Sequence, residues 1–199
     1  IAAIPARYAV ERHRWDDAAA LTVRPDLPWD RYAYAEAMTY FARALGAARG
    51  GNPSRARTDV ERLAALRQKL LEQHNTYWAD QVEVQRRASE AWIAFAEGHR
   101  DDALTTIRSA ADLEDSMDKS PVTPGAIVPV REMLGEMLLE ANHPAEALSE
   151  YEKSLTESPN RLNALTGAAR AAQLSGDRTK AATYYGRVAG LLGATHLSS

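Results

Sequence analysis

Five histidines, His13, His74, His99, His143 and His196, are the residues best suited to chemistry near neutral pH, since imidazole both titrates there and binds metals. Their spacing argues against either role. None belongs to an H-E-x-x-H pair, and they are scattered along the chain rather than clustered. His74 has Asp80 and Glu83 nearby, but separations of six and nine residues do not align them on one face of a helix. His99 and His143 fall in turns, where polar side chains are expected. The paired carboxylates Asp16-Asp17 and Asp101-Asp102 stand just inside helix starts, where acidic groups favour the positive end of the helix dipole without any bound calcium. No G-x-S-x-G, S-x-x-K, glycine-rich phosphate loop or G-x-G-x-x-G occurs, and with no cysteine there is neither a thiolate metal site nor a cysteine nucleophile. The expectation is a protein that is not an enzyme and needs no metal or cofactor. An enzyme with an unrecognised site is the third and weakest alternative.

The elements that carry these residues are helical by composition. Of 199 residues 45% are hydrophobic but only 7% aromatic, alanine is abundant, and runs of β-branched residues are few, which favours helix over sheet. Lys plus Arg is 24 against 27 Asp plus Glu, so a net charge of -3 offers no general attraction to phosphate backbones or anionic membranes. Nucleic acid is not an expected partner. No stretch approaches the ~18 consecutive apolar residues of a membrane span, so membrane insertion is not expected either. The chain opens at Ile1 inside a helical pattern and is read as a fragment or a processed chain. Its Ala-, Arg- and Gly-rich usage hints at a bacterial source, cytoplasmic or periplasmic.

A repeat organises the helices. In "MLGEMLLEANHPAEALSEYEKSLTESP", residues 133–159, Leu134, Met137, Leu138 and Ala141 follow helical spacing, as do Ala147, Leu148, Tyr151 and Leu155. Between the two runs, Asn142 or His143 can cap and Pro144 suits a first helical turn, where its missing N–H costs nothing. The same grammar returns in "LTGAARAAQLSGDRTKAATYYGRV", with Gly176 as a left-handed stop, Asp177 as the next cap, and Ala181 in the place of Ala147. Further upstream the pattern is looser. Ala18, Ala56, Ala103, Ala147 and Ala181 anchor five successive units with separations of 38, 47, 44 and 34 residues. Small residues are needed at these points because antiparallel helices meet at about 8 to 10 Å, and a bulky side chain at the crossing would push them apart. One hairpin alone buries too little to offset roughly 1 to 2 kcal/mol of backbone entropy per ordered residue, whereas stacked neighbours share a core.

These residues resemble the tetratricopeptide repeat family, whose unit is a 34-residue helix-turn-helix. Leu134, Gly135, Leu138, Ala147, Tyr151, Ser154 and Pro159 match the family pattern in one unit. Leu165, Ala168, Ala169, Ala172, Ala181, Tyr185 and Val188 match it in the next, with Gly193 where proline is usual. The resemblance implies an all-α fold: an α-solenoid of antiparallel helix-turn-helix repeats wound as a right-handed superhelix. The single array over 1–199 would comprise a partial unit at 1–29, then 30–75, 76–118, 128–161 and 162–195. Residues 113–129, with three prolines and a glycine, read as an ordered connector or a partner-contacting loop, with Thr123 as a helix start. The proline- and glycine-free stretch from Arg57 to Trp92 implies unusually long helices broken near Asn75.

The family's groove positions, carried over, are Phe41 and Leu45, then Gln85, Ala88 and Trp92, then Glu132 and Glu136, and finally Asn163 and Arg170. The resemblance thus implies a non-catalytic interaction module or scaffold that binds a peptide or partner protein on its concave side, possible also as a subunit of a larger assembly. The alternative is a regulatory or sensor domain of a longer chain. Two glutamates among the groove positions would repel a C-terminal carboxylate and suit a basic or polar segment. Trp92 serves as an anchor for a ligand or packs between helices. If Ala147 sits at a helix crossing, Ala147→Trp is expected to lower stability by about 1 to 3 kcal/mol, read as a shift in the chemical denaturation midpoint.

Overall fold

The computed structural model describes residues 2–117 and 126–196, and every regular element in them is an α-helix. In chain order these are α1 (Ala3–Glu11), α2 (Trp15–Ala19), α3 (Ala33–Arg49), α4 (Pro53–Glu72), α5 (Thr76–Ala96), α6 (Arg100–Ser116), α7 (Val130–Glu140), α8 (Pro144–Glu157), α9 (Leu162–Leu174) and α10 (Arg178–His196). The fold is all-α with a helical-repeat character. The helix reading of 57–92 holds, with α4 and α5 running 20 and 21 residues and Asn75 standing as N-cap of the second. The connector reading over 113–129 is corrected at its start, because α6 continues through Ser116. Thr123 lies outside the described residues.

Six helix pairs, α1/α2, α3/α4, α4/α5, α5/α6, α7/α8 and α9/α10, are joined by three residues each, and all six turns have one geometry. The middle residue is left-handed: His13, Gly51, His74, Gly98, Asn142 and Gly176 have φ between 52° and 88°. The residue after it returns its N–H to a carbonyl five positions back, as in Asn52 to Ala47, His99 to Ala94, His143 to Leu138 and Asp177 to Ala172, at 2.8–2.9 Å. That pattern satisfies carbonyls the ending helix leaves open and reverses the chain. Five residues beyond each left-handed residue stands an alanine: Ala18, Ala56, Ala79, Ala103, Ala147 and Ala181, all buried. Turn and anchor are therefore one module. Asn52 and Asp177 cap through their side chains, accepting from the N–H groups of Arg55 and Lys180, whereas His143 makes no such cap and instead pairs with Glu146.

The helices gather into two compact units, Ile1–Val130 and Arg131–Ser199. In the first, α3 packs on α4 and α5 on α6, while α5 also lies against both α3 and α4. The short α1 and α2 cover α3, and α2 meets it backbone to backbone: a Cβ on Gly46 would stand 2.4 Å from the Ala19 nitrogen. The core of this unit is aliphatic, with Leu45, Leu63, Leu66, Leu70, Val82 and Ile107 fully enclosed.

In the second unit α9 packs against both α8 and α10. Its interior is filled by Leu134, Met137, Leu138 and Leu165 together with a series of alanines along α9. The Tyr151 ring of α8 is pressed against two helical glycines, Gly135 of α7 and Gly167 of α9. A Cβ on Gly167 would fall 2.3 Å from the ring's Cζ, and one on Gly135 would fall 2.8 Å from it, so the outer end of the ring lies where these two helices come together. Tyr185, in the equivalent place on α10, is 44% exposed, and Ala181 is the buried residue of that helix among those whose burial is described.

Glycine inside a helix normally costs about 0.5 to 1 kcal/mol relative to alanine, so Gly→Ala stabilises where space permits. Gly186 in α10 has nothing within 4 Å of a built Cβ, and Gly186→Ala is expected to raise stability by that amount. Gly167→Ala is expected to do the opposite, lowering it by about 1 to 3 kcal/mol through collision with the ring. Chemical denaturation of the two variants beside the parent chain measures both signs.

Candidate functional site

Buried carboxylates held by arginine run through both units. A carboxylate removed from water must be paired or neutralised, and arginine's forked guanidinium is the side chain best able to pair it. In the first unit Glu36 of α3 is bonded by Arg62 of α4 at 3.0 Å, and Asp59 of α4 faces Arg43 of α3 at 3.1 Å. Glu83 of α5 gathers three guanidiniums: Arg86 at 2.8 Å, Arg87 at 2.7 Å and Arg67 of α4 at 3.3 Å. Tyr40 lies between two more, with Arg43 at 5.3 Å and Arg62 at 5.8 Å from its ring. In the second unit Glu150 takes Arg131 and Lys153 at 2.9 and 2.8 Å, and Glu132 takes Arg161 with Ser154 at 3.4 Å.

The balance of burial and pairing differs between these groups. Burial pushes the Glu83 carboxyl up, but the hydrogen bonds from Arg86 and Arg87 outweigh it and hold the group at about 2. At Asp59 burial wins: the carboxyl is raised despite Arg43 and Arg55, and its Oδ2 has no hydrogen-bond partner. These groups tie helices together.

Against this framework the expected groove residues separate. Phe41, Leu45 and Trp92 are each 2% exposed or less, so their side chains are core. Trp92 packs under the Arg49 guanidinium, 4.0 Å from its ring centre, and edge-on to Phe95, which is the inter-helix alternative for that residue. Gln85 is half-buried with an unpartnered Oε1, and Ala88 is fully buried. Glu132 is 4% exposed and tied to Arg161. Glu136 and Asn163 are half-buried, and Arg170 is exposed. The second unit brings Glu132, Glu136 and Arg170 together around the Tyr151 phenol, joined by Glu140. Burial first, then Glu136 and Glu132, push that phenol well above its ordinary range, while Arg170 pulls the other way. Tyr151 was legible only as a packing aromatic. The signal that it does more is Gly167, which opens the second side of the seam.

A cleft of about 340 Å³ also opens between α4 and α5, floored by Val60, Ile93 and Ala94 and rimmed by Arg57, Glu61, Glu90, Glu97 and His99. It gathers titratable groups as a catalytic site would. Yet Arg57 and Glu97 are locked together at 2.6 and 2.7 Å, Glu90 is bonded to Arg86, and no serine, threonine or lysine stands in the lining. Among the described residues no three His, Cys, Asp or Glu side chains are placed to hold a metal ion, and no helix is long and apolar enough to cross a membrane. Comparison with protein families, with curated proteins and with solved structures gives no match.

Because Glu83 is held below its ordinary value of 4.5, its contribution is fully present above that pH and is lost as pH falls from about 4.5 toward 2. The contribution at neutral pH is about 3 kcal/mol on the usual conversion. Glu83→Gln is expected to be destabilised by that order at pH 7 and to show a shallower further loss between pH 4.5 and 2 than the parent chain. Denaturation midpoints across this range give the comparison; parallel curves would remove Glu83 from the account.

Proposed function

We propose that the chain is a non-catalytic interaction module of the tetratricopeptide kind, its hairpins continuing as one solenoid whose first helices present an inner surface to a peptide or partner protein. The observation that carries this reading is the recurrence of one turn-and-anchor module, a left-handed residue followed five positions on by a buried alanine, at all six three-residue junctions. Repetition of that kind makes a stack of supersecondary units in which each leaves a row of side chains on a common surface. No spacing of nucleophile, base and orienting group accompanies it.

Within the second unit the surface most suited to contact is the α7/α9 seam, where half-buried Glu136 and Asn163 and exposed Arg170 stand beside the Tyr151 ring. Trp92 and Phe41, enclosed in the first unit, contribute to such a surface only by setting the backbone beneath it. Their replacement acts through stability. A partner that reads polar side chains across a seam suits the general anatomy of peptide recognition, where a few oriented groups give specificity and a shaped floor gives affinity.

Site-specific photo-crosslinking tests the assignment of the face. Benzoylphenylalanine at Asn163 is expected to trap one discrete partner in lysate of the encoding organism. The same probe at exposed Thr156 on α8 is expected to trap none. Equal adducts from both positions, or none from either, would contradict the proposed surface.

A further inference from the structure

The Tyr151 side chain is 95% enclosed, its residue exposure being 5%, with Gly135 and Gly167 lying over the outer end of the ring. Among the described residues its hydroxyl neither donates nor accepts a hydrogen bond. A phenol brought this close to a helix seam and left unanswered is unusual, because buried polar atoms nearly always find a partner. Two glycines let it in: any side chain at either position would collide with the ring end.

The charges around the hydroxyl decide what it would receive. Glu136, Glu132 and Glu140 all act on the phenol to disfavour a negative charge there, and Arg170 alone acts against them. Three carboxylates against one guanidinium leave a negative potential at the oxygen, and the same field that disfavours a phenolate favours a cation. The phenol stays neutral at physiological pH and keeps lone pairs to accept from an N–H donor. An anionic group would meet the reverse: Arg170 and the phenol O–H could serve it, but the surrounding glutamates would repel it.

We propose that this seam receives a lysine side chain of a partner peptide, its ammonium hydrogen-bonded to the Tyr151 hydroxyl and faced by the carboxylates of Glu136 and Glu140. The inference rests on the interaction-module reading and gives it a ligand chemistry. The ammonium supplies three donors to an oxygen that has none, and its charge offsets the glutamate field. Its aliphatic stem runs over a floor made of the two glycines and the ring edge.

Fluorescence anisotropy with the whole chain tests it, using a fluorescein-labelled alternating Ala-Lys octapeptide, its Ala-Glu counterpart, and spermidine as a free-amine competitor. The expected result is binding of the lysine peptide at least ~10-fold tighter than the glutamate peptide and weakened by added salt. Tyr151→Phe keeps the ring that packs on the glycines and removes only the oxygen, and it is expected to weaken binding ~5-fold with unchanged far-UV circular dichroism. Glu136→Gln is expected to weaken it to a similar extent, whereas Arg170→Ala, at an exposed position, is expected to strengthen it ~2-fold. Equal binding by Tyr151→Phe and the parent chain, preference for the glutamate peptide, or weaker binding by Arg170→Ala would overturn the proposal. Displacement of the peptide by equimolar spermidine would overturn its assignment to a protein lysine. Failure of the peptide with crosslinking at Asn163 intact would reject the lysine site alone and leave the interaction surface standing.

Discussion

Two helices can lie side by side at close range only where one side of the crossing carries almost nothing, and this chain meets that condition by rule. Each tight turn ends one helix through a left-handed residue and delivers an alanine to the contact five residues later. The turn fixes where the second helix begins, and the alanine fixes how near it comes. Larger side chains such as Leu63, Ile107 and Leu134 then have a gap of constant width to fill. At the α7/α8/α9 seam the condition is pushed further, since glycine replaces alanine and an aromatic ring occupies the space. Hairpins built this way are too thin to bury their apolar stripes alone, so each depends on the next.

The buried carboxylates complement that packing. Glu36, Asp59, Glu83, Glu132 and Glu150 all sit inside and all meet an arginine, in most cases from a neighbouring helix. Removing one member of such a pair leaves a charge without water or partner, so mispaired helices are penalised more than correct ones are rewarded. A contact between two apolar stripes tolerates sliding along the helix axis; a guanidinium bonded to two oxygens does not. The ionic groups thereby specify register where alanine-rich surfaces would leave it loose.

Much of this was legible from spacing. Ala18, Ala56, Ala103, Ala147 and Ala181 could be read because alanine between helical runs has a steric purpose, and Gly176 with Asp177 because a left-handed stop followed by a cap is a strong local signal. His13 and His74 hid two turns of the same kind, since nothing in a histidine announces a positive φ, and Ala79 went uncounted for that reason. The ion pairs were not legible at all: Glu36 and Arg62 are 26 residues apart, Glu132 and Arg161 are 29, and no local rule joins them. The groove residues were drawn from family positions, which say where a backbone points but not how a large side chain folds back. Trp92 turned under Arg49 and into the core, while Glu136 and Arg170 kept to the seam around Tyr151.

The ring of Tyr151 touching the backbones of two different helices is the point at which close packing and the proposed site coincide. Nuclear Overhauser contacts of the Tyr151 ring in the folded chain measure it directly. The account predicts cross-peaks from the ring Hε protons to the Hα protons of both Gly135 and Gly167. Contacts to one glycine only, or to neither, would mean that α7, α8 and α9 do not meet as described, and would contradict the packing and the site together.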